Sequence, residues 1–580
     1  MDSRTAAHVL SRIAALLELS GANTFKARAY DGAARALRTI DTDDLAPLLE
    51  SGELAKLPGV GPATLGVVRE LVETGESAYL ERLRASIPEG LLELLRLPRL
   101  GGAKIHALHE ALGVTSLDDL EREARNGGLA TVKGFGPKTV EAVLKGIASL
   151  RAAGDQMRIP AAVAEAVRIQ AAVAGHPDVV RAAIAGSVRR NVEVVGDIDI
   201  VAGCRRDPAA VGQSFANAPG VRRAARKDAD TITITYVDGV CLDLCCVPDE
   251  RFALALWRTT GSEHHVAAIT AHATRHDFAL GSDALRDPAG RVITLADEAA
   301  LYAALGLPFV VPELRETGEE VTAAATGTLP DLLRDEQLRG VLHCHTKYSD
   351  GKASVAEMAA AARQRGWSYI GISDHSQAAF YAGGLKPHDV LRQHDEIDAL
   401  NASSGGAFTI LKGIEADILA DGRLDYDAAL LDRFDFVIGS IHSRFAMDEP
   451  AMTERVLTAL DDPHLTVLAH PTGRLLLSRD PYGLDIDAVL EKAAERGVAV
   501  ELNADPHRLD LDWRHLHAAK RLGVTIAIGP DAHSTHGLDN TALGVTMARK
   551  GWLEAGDVLN TRDAAAVRRF ARHGLPEDGR

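Results

Sequence analysis

Two histidines one residue apart, followed by an aspartate, stand in VLHCHTKYSDG at residues 341 to 351, and these are residue types that bind divalent cations. In an extended strand positions i and i+2 share a face, so His343 and His345 can both point at one ion, with Asp350 close behind. Comparable groupings recur downstream: SDH (Asp374, His375), GIEAD (Glu415, Asp417), SIH (His442), AHP (His470), ELN (Glu501, Asn503) and PDAH (Asp531, His533), the last repeating the i, i+2 geometry. A lone histidine is usually a satisfied core residue, but that reading would have to hold at nearly every one of these places at once, and we reject it. Mixed imidazole and carboxylate ligands suit Zn²⁺, Mn²⁺ or Fe²⁺ and disfavour a thiolate structural site. The candidates outnumber the four or so ligands one ion takes, which implies two or three ions able to activate water and stabilise the oxygens of a phosphoester displacement. Arg508, in ELNADPHRLDLDW, is a candidate for holding a substrate phosphate, with a surface ion pair as the alternative.

A second constellation lies upstream in AGSVRRNVEVVGDIDIVAG, residues 185 to 203. Asp197 and Asp199 again share a face, and Asp243 sits inside VCLDLCCV, a run that otherwise reads as a buried strand. A charge there needs a partner or a cation. Three carboxylates on adjacent strands can cage two Mg²⁺ ions carrying a nucleoside triphosphate, the alternative being a salt-bridged Asp-x-Asp. Gly186 and Ser187 form a small-residue turn leading to Arg190, a group that can cradle phosphates.

The elements that must position these residues follow from the apolar pattern. Beyond residue 338, short apolar runs at 340–345, 369–374, 409–415, 435–441, 465–469, 498–503 and 524–529 alternate mostly with helical stretches such as VAEMAAAARQRG. Seven such units predict a parallel sheet closed into a barrel, whose catalytic groups lie at the carboxyl ends of the strands. Residues 160–312 read as mixed β and α, with strands VVRAAIAG, DIDIVAG, TITITYV and VCLDLCCV. The acidic, turn-rich segment after Pro308 and Pro312 is expected to link two halves. Up to about residue 155 the pattern is helical, and one phrase recurs: LPGVGPATLGVV (57–68), LPRLGGAKIHAL (97–108) and VKGFGPKTVEAV (132–143). Each predicts a helix, a tight turn needing positive φ, and a second helix whose free N–H groups face an anion.

At 580 residues the chain exceeds a single core, and 46% hydrophobic with 25% charged residues describes ordinary globular protein of several domains. No apolar run is long enough to span a bilayer, so no membrane association and a cytoplasmic location are expected. Five cysteines without paired or zinc-knuckle spacing read as reduced thiols. A net charge of −17 excludes nucleic-acid binding over the whole surface by charge alone. Local basic tracks remain at Arg189 and Arg190, at RRAARK (222–227), and at Lys133, Lys138, Lys145 and Arg151.

The three glycine-bearing phrases resemble the helix-hairpin-helix motif, which grips the nucleic-acid backbone without reading sequence. Gly59, Gly61, Gly101, Gly134, Gly136 and Lys138 would carry that contact. The strand-end strings resemble the PHP (polymerase and histidinol phosphatase) domain over most of 338–570. By that pattern His343, His345, Glu415 and Asp531 would hold one metal, Asp350, His375 and His470 a second, and Glu415, His442 and His533 a third. Gly-Ser at 186–187, GDID with Gly196, the distant Asp243 and RTTGSEHH (258–265, with Thr260, Gly261 and Ser262 as a nucleotide-pocket motif) are similar to the nucleotidyltransferase fold of family X DNA polymerases.

The resemblance covers nearly all of the chain and implies a multidomain α and α/β protein. It places a helical DNA-binding domain at 1–85, helical fingers at 86–155, both with helix-hairpin-helix motifs, a palm at 156–250, a thumb at 251–315, a linker at 316–337 and a distorted (β/α)7 PHP barrel at 338–575. It implies a DNA repair polymerase joined to a 3′–5′ exonuclease, with Mg²⁺ or Mn²⁺ at the palm and two or three Mn²⁺ or Zn²⁺ ions in the barrel. Gapped or 3′-recessed DNA and dNTPs would be its partners, and a monomer is expected. Two alternatives stand: a phosphatase of the histidinol-phosphate type, and a DNA-binding phosphoesterase with a decayed polymerase centre. The sequence departs from the family at Arg258, Thr259 and Val266, where a Tyr-Phe wall and a base-contacting Asn are usual, so weak polymerisation or relaxed exclusion of ribonucleotides is predicted. Val67 stands where relatives carry a Schiff-base lysine, so no lyase activity is expected by that route.

Overall fold

The computed structural model describes residues 3–572, apart from 22–23, 39, 41, 43–44, 58, 75–76, 86, 88–90, 92–93, 95–96, 98–99, 154–155 and 237–238. Outside them lie the limits expected at 86 and 155, residues 573–575 of the expected barrel domain, Val237, the hairpin residues Pro58, Pro98 and Arg99, and the Arg151 side chain. The chain divides into two compact units, Met1–Gly154 and Asp155–Arg580. No helix among the described residues is long and apolar enough to cross a membrane.

The first unit is helical and holds two small cores. Leu10, Ile13, Tyr30, Leu37, Val68 and Leu71 belong to one, and Ile105, Leu108, Leu120, Leu129, Phe135 and Ile147 to the other. Val67 points into the first of these cores.

The second unit begins with a five-stranded sheet: β1 (Val179–Ile184), β2 (Ile198–Cys204), β3 (Val221–Arg226), β4 (Thr231–Tyr236) and β5 (Cys241–Pro248). Their order is β1-β2-β5-β4-β3, with β2 and β5 parallel and the other neighbours antiparallel. Four of these strands match the apolar runs. β3 carries instead the basic run Arg222, Arg223 and Arg226, exposed along the sheet's edge, where charge protects unpaired backbone from further pairing. The acidic stretch after Pro312 is itself folded: Glu319–Thr326 is a helix that buries Val321 and Ala324, and the buried Glu320 carboxylate accepts a hydrogen bond from His265 Nδ1 at 2.7 Å.

Seven parallel strands follow in sequential order: β6 (Gly340–Cys344), β7 (Tyr369–Ile372), β8 (Thr409–Asp417), β9 (Phe436–Ser440), β10 (Val467–Leu468), β11 (Ala499–Asn503) and β12 (Ile526–Gly529). Each is wholly or almost wholly buried, as expected of strands covered on both faces. The ring closes where Ala532 N donates to His343 O (3.2 Å) and His345 N to Ala532 O (2.9 Å). Phe436 fills the interior against Gly371 and Gly413, where any Cβ would strike its ring. The helix Ala564–Ala571 covers the end opposite the strand termini, with Val567 in the same core and Arg568 paired to Asp435 at 2.9 Å.

Sheet and barrel share one continuous apolar core and a polar knot beside it. Lys550, 1% exposed, donates to Glu316, to Arg190 O (3.0 Å) and to Glu313 O (3.4 Å), and its ammonium lies 4.5 Å from the centre of the Trp513 ring. Trp513 Nε1 donates to Glu193 at 3.1 Å, and Arg514 pairs with the same carboxylate.

Candidate functional site

The carboxyl ends of the barrel strands converge on Glu415, which is 1% exposed. Its Oε1 lies 3.4 Å from His343 Nε2, 3.3 Å from His442 Nε2 and 3.2 Å from His470 Nε2, and its Oε2 lies 2.7 Å from His375 Nδ1 and 3.6 Å from His345 Nε2. Asp531 Oδ1 is 3.3 Å from His345 Nε2 and 3.7 Å from His343 Nε2. Asp350 reaches His533 at 3.3 Å and His375 at 3.7 Å. All nine expected side chains therefore meet. They fall into overlapping groups spaced for cations: His345, Asp350, His375 and His533; His343, His345 and Glu415; His343, His470 and Asp531; and His375, Glu415 and His442.

This sorting differs from the one the resemblance implied. His533 joins Asp350 and His375 rather than His442, because β12 closes the ring against β6, whose following loop carries Asp350. His470, after β10, joins His343 and Asp531 instead.

The donor set fits metal ions. His343 Nε2, both His345 nitrogens, Glu415 Oε2 and His470 Nδ1 are buried without a hydrogen-bond partner, a costly arrangement unless they bind something else. His343, His470 and Asp531 also hold positive φ, where non-glycine residues are strained, as the chain bends each side chain inward. Gly529 must lack a Cβ, which would collide with Glu501 and His343.

The charges are those of an anionic pocket. Burial opposes protonation of His442, yet Glu415 and Asp417 carry it up to about 10, and His533 likewise rises to about 9 against burial through Asp350 and Asp531. Burial and His375 press His345 down to about 4, and burial and Arg508 press His470 down to about 3. Those two imidazoles are neutral at pH 7, the form that ligates cations.

A supporting layer orients these groups. Glu501 accepts from His343 Nδ1 (2.5 Å), from His470 N (2.7 Å) and from Asn503 Nδ2 (3.2 Å), while Asn503 also donates to Asp531 (3.1 Å). Asp417 stands 2.8 Å from His442 Nδ1. Asp374 accepts from Thr346 N and Oγ1, Ser349 N and Oγ, and Gln393 Nε2, and so fixes the turn before Asp350. The sequence places these carboxylates beside the ligands but does not separate supporter from ligand. Arg508 Nε lies 3.4 Å from Asp531 Oδ2, at the rim of the cluster.

In the sheet, Asp199 and Asp243 stand in register on the parallel strands β2 and β5, with Asp197 just before β2. Asp243 accepts from Thr233 Oγ1 (2.6 Å) and pairs with Lys227. Burial, followed by the charges of Asp197 and Asp243, pushes the Asp199 carboxyl up to about 7, and burial with Asp243 raises that of Asp197. Crowded carboxylates of this kind mark a place for cations. Gly186 packs against Asp199 with φ +59, and a Cβ there would overlap the carboxylate. Ser187 Oγ next to it is buried without a partner. Gly196 has open space around it. Arg190 is engaged with Thr260 O (2.8 Å) and Glu316 (3.1 Å), Arg189 donates to Thr260 Oγ1 (2.8 Å), and Ser262, after Gly261, caps the helix Glu263–Arg275.

In the helical unit the loops before Pro62–Thr74 and Pro137–Ala153 hold Gly59 and Gly134 at φ +87 and +95, as expected. Gly101 aligns with Gly61 and Gly136, none of which holds positive φ, and is an extended N-cap at φ −75 before Gly102–Leu112. The position matching Gly59 in that loop is Arg99, outside the described residues. Gly134, Gly136 and Lys138 are exposed.

Family models match along the chain in the same order as these parts: a helix-hairpin-helix domain at residues 1–77, a SAM-like helix-hairpin-helix tandem at 91–149, a DNA polymerase beta thumb at 255–316 and a PHP domain at 342–505. A "DNA polymerase/3′-5′ exonuclease PolX" of Bacillus subtilis is 36% identical over 575 residues, spanning 99% of this chain and 100% of that protein. The chain belongs to the bacterial family X DNA polymerases with a PHP domain. A "Probable phosphatase" of Caldanaerobacter subterraneus, 30% identical, shares 34% of this chain and 78% of its own length. Another, of Shewanella sp. strain MR-4, is 26% identical over 40% of this chain and 91% of its own.

Membership of family X gives the departures around the thumb a structural setting. Arg258, where the family has a ring, donates to Gly281 O at 2.6 Å, and Val266 packs against the thumb core. The PHP match ends at residue 505, yet Asp531 and His533 complete the cluster from β12 beyond it.

Proposed function

We propose that this chain extends DNA 3′ ends in the palm and trims them in the barrel as a 3′–5′ exonuclease. The observation that carries the reading is the presence of both carboxylate sets, Asp199 in register with Asp243 and the convergence on Glu415, in a chain aligned end to end with a polymerase/exonuclease. Asp197, Asp199 and Asp243 would hold Mg²⁺ or Mn²⁺, and the nine barrel residues two or three Mn²⁺ or Zn²⁺ ions. Bound ions supply charge neutralisation and activation of the attacking oxygen in both centres.

The chain's own groups do the remaining work. Ser187 Oγ, free of any partner, would donate to a triphosphate beside Gly186, and Thr260, held by Arg189 and Arg190, with Gly261 and Ser262 after it, would complete that nucleotide site. Glu501 and Asp417 keep His343 and His442 aimed inward, and Arg508, beside Asp531, would bind the scissile phosphate. The hairpin loops with Gly59, Gly61, Gly101, Gly134 and Gly136, and Lys138, would hold the backbone of gapped or 3′-recessed DNA, which fits gap filling in repair. The phosphatase relatives match only 34–40% of this chain, and phosphoester hydrolysis would be the chemistry in common with the PHP domain; the hairpin units would direct it to DNA here.

Two double variants test the division of labour on a 3′-recessed duplex with Mn²⁺. Asp197→Ala with Asp199→Ala abolishes extension and spares degradation, and His343→Ala with His345→Ala does the reverse, each by about a hundred-fold or more. Retention of both activities by both variants overturns the two-centre reading.

A further inference from the structure

The loop after β7 carries the candidate ligand His375 and then turns outward. Leu385 N donates to His375 O (2.8 Å), Ala379 N to Ser376 O (3.0 Å), Gly384 N to Ala379 O (3.2 Å) and Ala378 N to Asp425 (2.7 Å), so the loop is pinned from base to tip. At that tip Ala379 and Ala382 are buried, while Phe380 and Tyr381 between them are 84% and 62% exposed. An isolated exposed ring needs no explanation, but two in sequence on a pinned turn forgo burial together. They also continue the metal cluster outward. The Tyr381 ring lies 6.4 Å from that of His442, and the Phe380 ring 6.0 Å from that of Tyr381. The line therefore runs from the buried cations' place, through His442, to two rings facing solvent. Arg508 stands at the same rim beside Asp531.

We propose that Phe380 and Tyr381 are a stacking platform for the unpaired bases of a DNA 3′ end entering the barrel. The rings then bind a terminal base with little regard to its identity. Every base has a face to stack, and a stacked base strengthens binding by roughly ten- to hundred-fold. A small phosphomonoester or diester, with no base to lay on the rings, gains nothing from them. The inference rests on the exonuclease reading of the barrel.

The test uses the full chain with Mn²⁺ and the double variant Phe380→Ala/Tyr381→Ala. Steady-state release of nucleotide from a single-stranded oligo-dT is compared with hydrolysis of bis-p-nitrophenyl phosphate. The expected result is a rise in KM for the oligonucleotide of about ten-fold or more, kcat within about two-fold, unchanged hydrolysis of the small diester, and recovery in Phe380→Trp/Tyr381→Phe. An unchanged oligonucleotide KM overturns the platform while leaving the exonuclease reading intact, and equal losses on both substrates overturn it as damage to the centre itself. A wild-type protein that cleaves the small diester but leaves every oligonucleotide whole overturns the exonuclease reading, and the platform with it.

Discussion

Replacing Lys550 by methionine keeps the volume of a buried side chain and removes its three donor contacts at the junction of sheet and barrel. Breaking a buried ion pair from one side costs about 3–5 kcal/mol when the remaining charge is stranded. Glu316 is not stranded, since Arg190 Nε stays 3.1 Å away, but Arg190 O loses a donor that costs about 1 kcal/mol or more to leave unmatched. The balance is a loss of about 2–4 kcal/mol. At typical urea slopes this lowers the unfolding midpoint of the second unit by on the order of 1 M. Equilibrium unfolding followed by tryptophan fluorescence reads it directly, because Trp513 lies under the ammonium. Because Arg190 leads on to Thr260 and the Ser187 turn, KM for dNTP rises in Lys550→Met while hydrolysis of a small diester by the barrel persists. A midpoint within about 0.2 M of wild type would refute the assignment of this lysine as a structural clasp.

Glu501→Gln leaves His343 and His470 in place but weakens their orientation, and metal affinity falls by about ten- to hundred-fold, measured by competition with a chromogenic chelator; unchanged affinity removes Glu501 from the supporting layer. His265 gives a pH signature away from both centres. Burial, partly offset by its bond to Glu320, holds its pKa below the ordinary 6.5, so the unfolded chain takes up the proton first. Its contribution is therefore fully present above about pH 6.5 and declines as pH falls below that, by at most about 1.4 kcal/mol per pH unit. His265→Gln shows a flatter fall of unfolding free energy than wild type between pH 7.5 and 5.5, and parallel curves count against the assignment.

The barrel was legible because strands buried on both faces read as unbroken apolar runs between amphipathic helices, and because imidazoles and carboxylates punctuate the ends of those runs. Gly59 and Gly134 were legible for a similar reason: a tight turn before a helix leaves few conformations, and theirs is left-handed. Which of the candidate ligands lie close enough to share an ion was not legible. That depends on β12 meeting β6, a pairing between the two ends of the barrel sequence that no local pattern encodes. Strand β3 escaped because Arg-Arg-Ala-Ala-Arg lacks strand propensity and forms only as an edge. Arg190, expected at the phosphates, meets Glu316 and Thr260, and its carbonyl meets Lys550 from far along the chain, a contact only the docked barrel creates.

The seam at which Ala532 bonds to His343 and His345 has a consequence for biosynthesis. Asp531 and His533 are supplied by the last staves of the ring, while their companions His343, His345 and Asp350 emerge from the ribosome with the first. A nascent chain lacking its final stretch has no completed cage, so the nine side chains come together only once the last strand is made and the ring has shut.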